Sequence, residues 1–333
     1  MSSHYGYINA RIKGLKSHLL DSDFYTNAIA TSNFQAFSSA LSQAQGYTSD
    51  MEEASSQYQG LQMVDSAIGR NFYNTTRRVL NLASGSPAKL IEVMLLRYDL
   101  HNLKTIARAK LSGRSAADIR QSLFPAGRLK PATLEHITDT NDITSAAQAI
   151  SMTRHPLSST FNRAVSQYSE GQLFDIELAL DKAYFKALFA ELQGVDYPAA
   201  FKRHLQREVD CTNVLTALKV KDPTKADSLF IKGGREIGRS TFDSLMQGNS
   251  SVLANGKFAA IAEANSLSQA EEGVSALLNE SAKRLSNASP LDIGPVLHFF
   301  RLKEAESSKL RLLARGKYYG VSQERLAKEF ADG

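Results

Sequence analysis

The stretch Val93-Met94-Leu95-Leu96-Arg97-Tyr98-Asp99-Leu100-His101-Asn102-Leu103-Lys104-Thr105-Ile106-Ala107-Arg108 sets the fold class. Val93, Leu96, Leu100, Leu103, Ile106 and Ala107 recur at spacings of three and four, which places them along one stripe of an α-helix. Arg97, Lys104, Arg108 and Lys110 fall largely off that stripe. The pattern returns at Cys211, Val214, Leu215 and Leu218, and again at Leu302, Ala305, Leu310 and Leu313. No comparable alternation of period two occurs, and none of the eight prolines precedes Pro87, so long helices are permitted from the start. The expected fold is all-α.

The helical stretch also belongs to a repeat. Asp99-Leu100-His101-Asn102-Leu103 aligns with Asp210-Cys211-Thr212-Asn213-Val214 and with Glu306-Ser307-Ser308-Lys309-Leu310: an acid, two variable residues, an amide or amine, then an aliphatic. Five positions beyond each aliphatic stands a cation, Arg108, Lys219 and Arg315. Ser122-Leu123-Phe124 with Gly127-Arg128 resembles Ser228-Leu229-Phe230 with Gly234-Arg235, and Ser22-Asp23-Phe24 is a fainter third copy. The phenylalanines are offset by 100 and 106 residues and the acids by 111 and 96. Three units of about 110 residues follow, 1–113, 114–222 and 223–333, each expected to hold two short helices and then two long ones. The loops 112–130 and 221–237 are the expected joints. The basic amphipathic opening, Asn9 to Lys16, reads as an extra unit tail that packs on the first unit, which favours a closed body of quasi-threefold character over an open rod.

Composition narrows the function classes. At 333 residues the length prior suggests about two domains or one repetitive body. Apolar residues make up 43% and charged residues 22%, the balance of a folded globular chain and not of a disordered tail. A net charge of +5 is a mild excess, short of the dense basic field that nucleic acid demands. Cys211 is the single cysteine, no leader segment opens the chain, and no apolar run approaches the roughly 20 residues that span a bilayer. A reducing, cytoplasmic setting is expected.

No catalytic, cofactor or metal constellation emerges. Gly233-Gly234-Arg235-Glu236-Ile237-Gly238-Arg239-Ser240 has Walker A spacing, but Arg239 stands where the lysine belongs and no strand feeds the loop. It reads as a glycine-rich joint. The seven histidines are scattered without a metal-binding spacing, His101 reads as helix surface, and Cys211 takes the place of Leu100, a buried apolar role. Asp99 with Asn102 and Asp210 with Asn213 stand out, because weak helix formers recurring in mid-helix demand hydrogen-bond partners. Two readings are open for them: a polar contact repeated inside each unit, or a polar lining that grips a partner together with Arg108, Lys219 and Arg315. The cations near each helix end, including Lys110, Lys221 and Lys317, fit either dipole-stabilising ends or a basic face toward an acidic partner.

The ordered set of Tyr5-Gly6-Tyr7-Ile8-Asn9-Ala10-Arg11, Leu95 to Lys104, Phe230 to Arg235 and Leu310 to Arg315 resembles the C-subunit family of bacterial and archaeal V/A-type rotary ATPases, the counterpart of the eukaryotic d subunit. The resemblance runs from residue 5 to about residue 320. It implies an all-helical funnel of three similar domains with no catalysis and no cofactor, one copy sitting at the cytoplasmic face of the membrane. Its partners would be the central shaft and the membrane rotor ring, between which it would act as a socket passing torque for proton or sodium transport. Nucleic acid is not an expected partner under this resemblance. The competing readings are an α-helical repeat scaffold that binds RNA or another polyanion through its basic helix ends and, more remotely, a nucleotide enzyme at residues 233–240.

Overall fold

The computed structural model describes residues 3–169, 171 and 173–332, and among these helices carry the fold and no strand occurs. Helix α1 (Ser3–Lys16) leads into three short helices, α2 (Ser22–Ala30), α3 (Phe34–Gln43) and α4 (Thr48–Ser55), and then two long ones, α5 (Gly60–Asn81) and α6 (Gly85–Leu111). A short joint helix α7 (Ala116–Arg120) precedes the next series: α8 (Pro131–Asp139), α9 (Ile143–Ser151), α10 (Ser158–Ser166), and the long α11 (Leu173–Glu191) and α12 (Ala199–Val220). The third series runs through α13 (Ala226–Leu229), α14 (Arg239–Met246), a 3-10 turn at Ser250–Leu253, α15 (Ala259–Ala262), and the long α16 (Leu267–Ala288) and α17 (Gly294–Tyr318). Helix α18 (Gln323–Asp332) closes the order.

Three short helices, not the expected two, therefore precede the first long pair (α2 to α4) and the second (α8 to α10). Capping chemistry explains the extra break. In Thr31-Ser32-Asn33 the Asn33 side chain accepts from Ala36 N and starts α3. In Thr140-Asn141-Asp142 the Asp142 side chain accepts from Ser145 N and starts α9. Each cap satisfies a backbone donor that the new helix leaves open, so a short polar segment both ends one helix and begins another.

Where the sequence period marks 1–113, 114–222 and 223–333, compactness gathers the chain into two units: residues 1–193 with 299–333, and residues 194–298. In the first unit the end of the chain joins its beginning. Phe37, Leu41, Tyr47, Met51, Val64 and Ile68 from α3 to α5 form one core with Leu310, Leu313 and Ala314 of α17. Ile8 and Ile12, one helical turn apart on α1, are buried as well. The stripe first read on α6 is buried at Val93, Leu96, Leu103, Ile106 and Ala107, but Leu90, Ile91, Met94 and Leu95 are buried too, so this part of the helix is enclosed on more than one face. Helix α6 packs along α11, where Lys104 Nζ lies 2.5 Å from Asp181 Oδ1.

In the second unit, Phe201, Leu205 and Val209 of α12 are buried, as are Phe242, Leu245 and Met246 of α14 and Ala282 and Leu285 of α16. Helix α12 packs on both α14 and α16. Cys211 is 2% exposed on α12, a small side chain enclosed in this packing.

Candidate functional site

The polar residues that recur in mid-helix close the joint loops of their own series. Asp99 lies on the buried side of α6 at zero exposure. Its Oδ2 accepts from Arg128 N at 2.6 Å and its Oδ1 from Leu129 N at 3.2 Å. One turn on, Asn102 Nδ2 donates to Phe124 O at 2.7 Å while Asn102 Oδ1 accepts from Phe124 N at 2.8 Å. The amide thus replaces a missing backbone partner on both sides of one residue. Helix α12 repeats the device. Asp210 accepts from Arg235 N, Glu236 N and Ile237 N at 2.9–3.1 Å, and Asn213 makes the same two-way pair with Ile231. Burial pushes the Asp210 carboxyl up, against the pull of these N–H groups.

Helix α17 holds a third, altered copy. Glu306 Oε2 accepts from Leu20 N at 2.7 Å, and its Oε1 accepts from the Tyr47 hydroxyl at 2.8 Å and from Lys303 Nζ. Lys309, in place of the asparagine, lies 4.7 Å from the centre of the Phe330 ring. These pairings correct the alignment read from sequence. Phe124 corresponds to Ile231 and not to Phe230, because those are the residues the asparagines hold. Phe124/Ile231, Gly127/Gly234 and Arg128/Arg235 then share one offset of 107 residues.

A second element of the repeat was visible only as a basic residue near each helix end. Lys110 and Lys317 each stand eleven positions after the acid of their copy. Lys110 Nζ donates to Thr138 O at 2.7 Å and to Thr140 O, at the end of α8. Lys317 Nζ donates to Ile29 O and Thr31 O, both at 2.6 Å, at the end of α2. A cation on open C-terminal carbonyls satisfies acceptors and opposes the helix dipole at once.

The repeat-equivalent cations diverge. Arg108 is exposed and pairs with Glu177 of α11, and Lys219 is exposed near the end of α12. Arg315 is half-buried, with Nη2 3.1 Å from Gln121 O and 3.5 Å from Asp65 Oδ2. Asp99, Asn102, Asp210 and Asn213 are all at zero exposure, bonded to loops of their own chain, so none of the four presents a surface to a partner.

The family model of the ATP synthase (C/AC39) subunit matches residues 8–329. This chain belongs to that family. Among its relatives, the C subunit of a V-type ATP synthase from Deinococcus radiodurans is 35% identical over 330 residues, covering 99% of this chain and 92% of that protein. The protein of the same name from Thermus thermophilus is 31% identical over 333 residues, covering 99% of both. The C subunit of an A-type ATP synthase from Methanosarcina acetivorans is 29% identical over 339 residues, covering 96% and 91%.

As a member of the C/AC39 family the chain is a non-catalytic subunit of an ATP synthase complex. Its nucleotide-like loop is filled from within. The N–H groups of residues 235–237, which a phosphate cradle would leave open, converge on the Asp210 carboxylate. Arg239 pairs with Asp227 at 2.5 Å and with Asp243 at 2.7 Å, and faces Phe230 at 6.0 Å. Ser281, distant in sequence, meets an i,i+4 histidine and glutamate of α12 in the second unit: Ser281 Oγ lies 2.9 Å from His204 Nδ1, and His204 Nε2 lies 3.6 Å from Glu208 Oε1. Arg207 Nη1 also donates to Ser281 Oγ at 2.8 Å and holds that oxygen as an acceptor, and Ser281 is 9% exposed between packed helices, which makes the group a structural tie. No cluster of three or more His, Cys, Asp or Glu disposed to hold a metal ion occurs among the described residues, and no helix among them is long and apolar enough to cross a membrane.

Proposed function

We propose that this C/AC39 protein is the rotor adaptor of its complex, a socket between the central shaft and the membrane rotor ring that passes torque for proton or sodium transport. A part that transmits torque must resist bending where its helical units join. The observation that carries the proposal is the repeated clamp: a buried carboxylate and amide on a long helix bind the backbone of the following joint, at Asp99 and Asn102 and again at Asp210 and Asn213. Hydrogen bonds to ionised groups are stronger than neutral ones, so each joint is fixed by the helix beside it. The three sequence units 1–113, 114–222 and 223–333 are, on this reading, the repeated parts of that socket, one copy per complex, held at the cytoplasmic face of the membrane by the ring. Arg108 and Lys219 are the exposed cations it offers to an acidic partner, with Arg315 backing the first joint.

Affinity purification of the tagged full chain from gently solubilised membranes, with mass spectrometry of what accompanies it, tests this reading. Shaft and ring subunits of an ATP synthase are expected in the eluate. Recovery of RNA or unrelated soluble proteins without those subunits, with binding that falls steeply as salt rises, favours a polyanion scaffold and overturns the adaptor.

A further inference from the structure

Helix α17 carries apolar positions that its own fold leaves open. Of the four that mark it as a helix in the sequence, Leu310 and Leu313 are buried in the core of the first unit, but Leu302 is 37% exposed and Ala305 is half-buried. Those two begin a second stripe, Leu302, Ala305, Lys309, Leu312, Gly316 and Tyr319, spaced three, four, three, four and three apart. This is the spacing of a coiled-coil seam, held over about 26 Å of helix. Leu312 is 37% exposed and Tyr319 72%. The open side is peculiar to α17. With Asp99, Asp210 and Glu306 aligned, the place of Leu312 is taken by Thr105 and Thr216, and that of Tyr319 by Ser112 and Pro223. The place of Leu302 is taken on α6 by Leu95, and that of Ala305 by Tyr98 and Val209, all three buried. Single exposed apolar residues are ordinary, but a set of them in helical register is the mark of a helix-binding face.

Charge narrows the occupant. From Ser307 to Tyr319 the helix has four basic residues, Lys309, Arg311, Arg315 and Lys317, and no acidic one. Arg311 and Lys317 are buried and donate to carbonyls of this chain, so Lys309 and the half-buried Arg315 are the charges left beside the seam. Helix α18 meets the stripe at two points: Leu326 covers Gly316, and Lys309 Nζ lies 4.7 Å from the centre of the Phe330 ring. We infer that the open face of α17 is the docking site of an acidic amphipathic α-helix from a neighbouring subunit of the ATP synthase complex. Apolar side chains of that helix pack on Leu302, Leu312 and Tyr319, and carboxylates on its flanks meet Lys309 and Arg315. A lysine within the seam fixes the register, because only one alignment sets a carboxylate opposite it. A basic helix would set like charges against both cations. The inference rests on membership of such a complex and on no assumption about which subunit α17 meets.

Photo-cross-linking in the purified complex tests it, with p-benzoylphenylalanine placed at position 312 and, separately, at position 319. Both are expected to link to one segment of one other subunit, at points about seven residues apart, in a stretch of helical apolar period with more acids than bases. Links to lipid, to this chain or a second copy of it, or to two unrelated segments overturn the inference, and so does the absence of a link at both positions. Rebinding of the purified chain to complex depleted of it gives a second readout. Leu312→Asp and Tyr319→Asp, both at exposed positions, are each expected to weaken rebinding about tenfold or more. Full-strength rebinding by both variants overturns the inference, and the cross-links decide the matter even where a variant folds poorly. The subunit that carries the linked segment bears separately on the adaptor reading: a shaft or ring subunit agrees with it, whereas a stationary subunit sinks it and leaves the docking face standing.

Discussion

The Asp99 carboxylate occupies the space in which residue 127 would carry its Cβ. A methyl group on Gly127 would overlap both carboxylate oxygens, and one on Gly234 would overlap Asp210 Oδ1. Neither glycine is required for a left-handed backbone, since neither is among the residues with positive φ. Both are required for room. Gly127→Ala and Gly234→Ala are each expected to lower stability by about 1–3 kcal/mol or more through overpacking and loss of the clamp. Gly14, exposed on α1 with nothing near its Cα, is the control, and Gly14→Ala is expected to be neutral or stabilising by up to about 1 kcal/mol. Urea unfolding of the three variants checks the contrast in sign.

Asp210→Ala removes the acceptor shared by the N–H groups of residues 235–237. Stability should fall by about 3 kcal/mol, with hydrogen-exchange protection lost first at those three amides. With the carboxylate in place the N–H groups of residues 235–237 are not open to a phosphate. Neither the parent chain nor Arg239→Ala should show an ATP-dependent rise in melting temperature, and a rise that Arg239→Ala abolishes would contradict the closed-loop reading.

Lys317→Met and Lys110→Met strip the cation from the ends of α2 and α8. Each should cost about 1–2 kcal/mol, the loss of a charge-assisted bond to helix-end carbonyls. Hydrogen exchange should rise locally, in α2 for Lys317→Met and in α8 for Lys110→Met. An effect spread evenly over the chain would argue against a capping role.

Burial pushes the Asp65 carboxyl up from its ordinary value, with Arg315 and Arg311 opposing the shift. The folded state therefore holds this proton at pH values where the unfolded chain has released it. Its contribution to stability is present below the unfolded pKa and is lost as pH rises through the folded one. Asp65→Asn carries no such proton, so the parent should gain stability relative to the variant as pH is lowered from 7 toward 4. Paired unfolding curves across that range check the sign, and a difference that shrinks on acidification would contradict it.

Much of the fold was legible because it rests on local rules. The three-and-four spacing around Leu96 and Leu103 specifies a helix whatever its neighbours do, and the recurrence of Asp99 and Asn102 at Asp210 and Asn213 specifies a repeat. The partners of those residues were not legible. That an amide on α6 holds Phe124 while its counterpart holds Ile231 depends on a three-dimensional pairing, and the phenylalanine beside it drew the alignment one residue off. Lys110 and Lys317 looked like solvated helix ends because their carbonyl acceptors lie 28–30 and 286–288 residues away. Thr31-Ser32-Asn33 and Thr140-Asn141-Asp142 did carry a capping signal, and reading it would have given the third short helix of the first and second series. Arg315 comes within 3.5 Å of Asp65 from 250 residues away along the chain, and no spacing encodes that.

The central claim, that this protein couples the shaft to the ring, is tested most directly by ATP-driven ion pumping in membrane vesicles that carry the complex with and without the chain. Without it, ATP hydrolysis by the catalytic head should continue while pumping is lost, and adding back the purified chain should restore pumping. Pumping that stays at its full rate per ATP hydrolysed in vesicles lacking the chain would contradict the account.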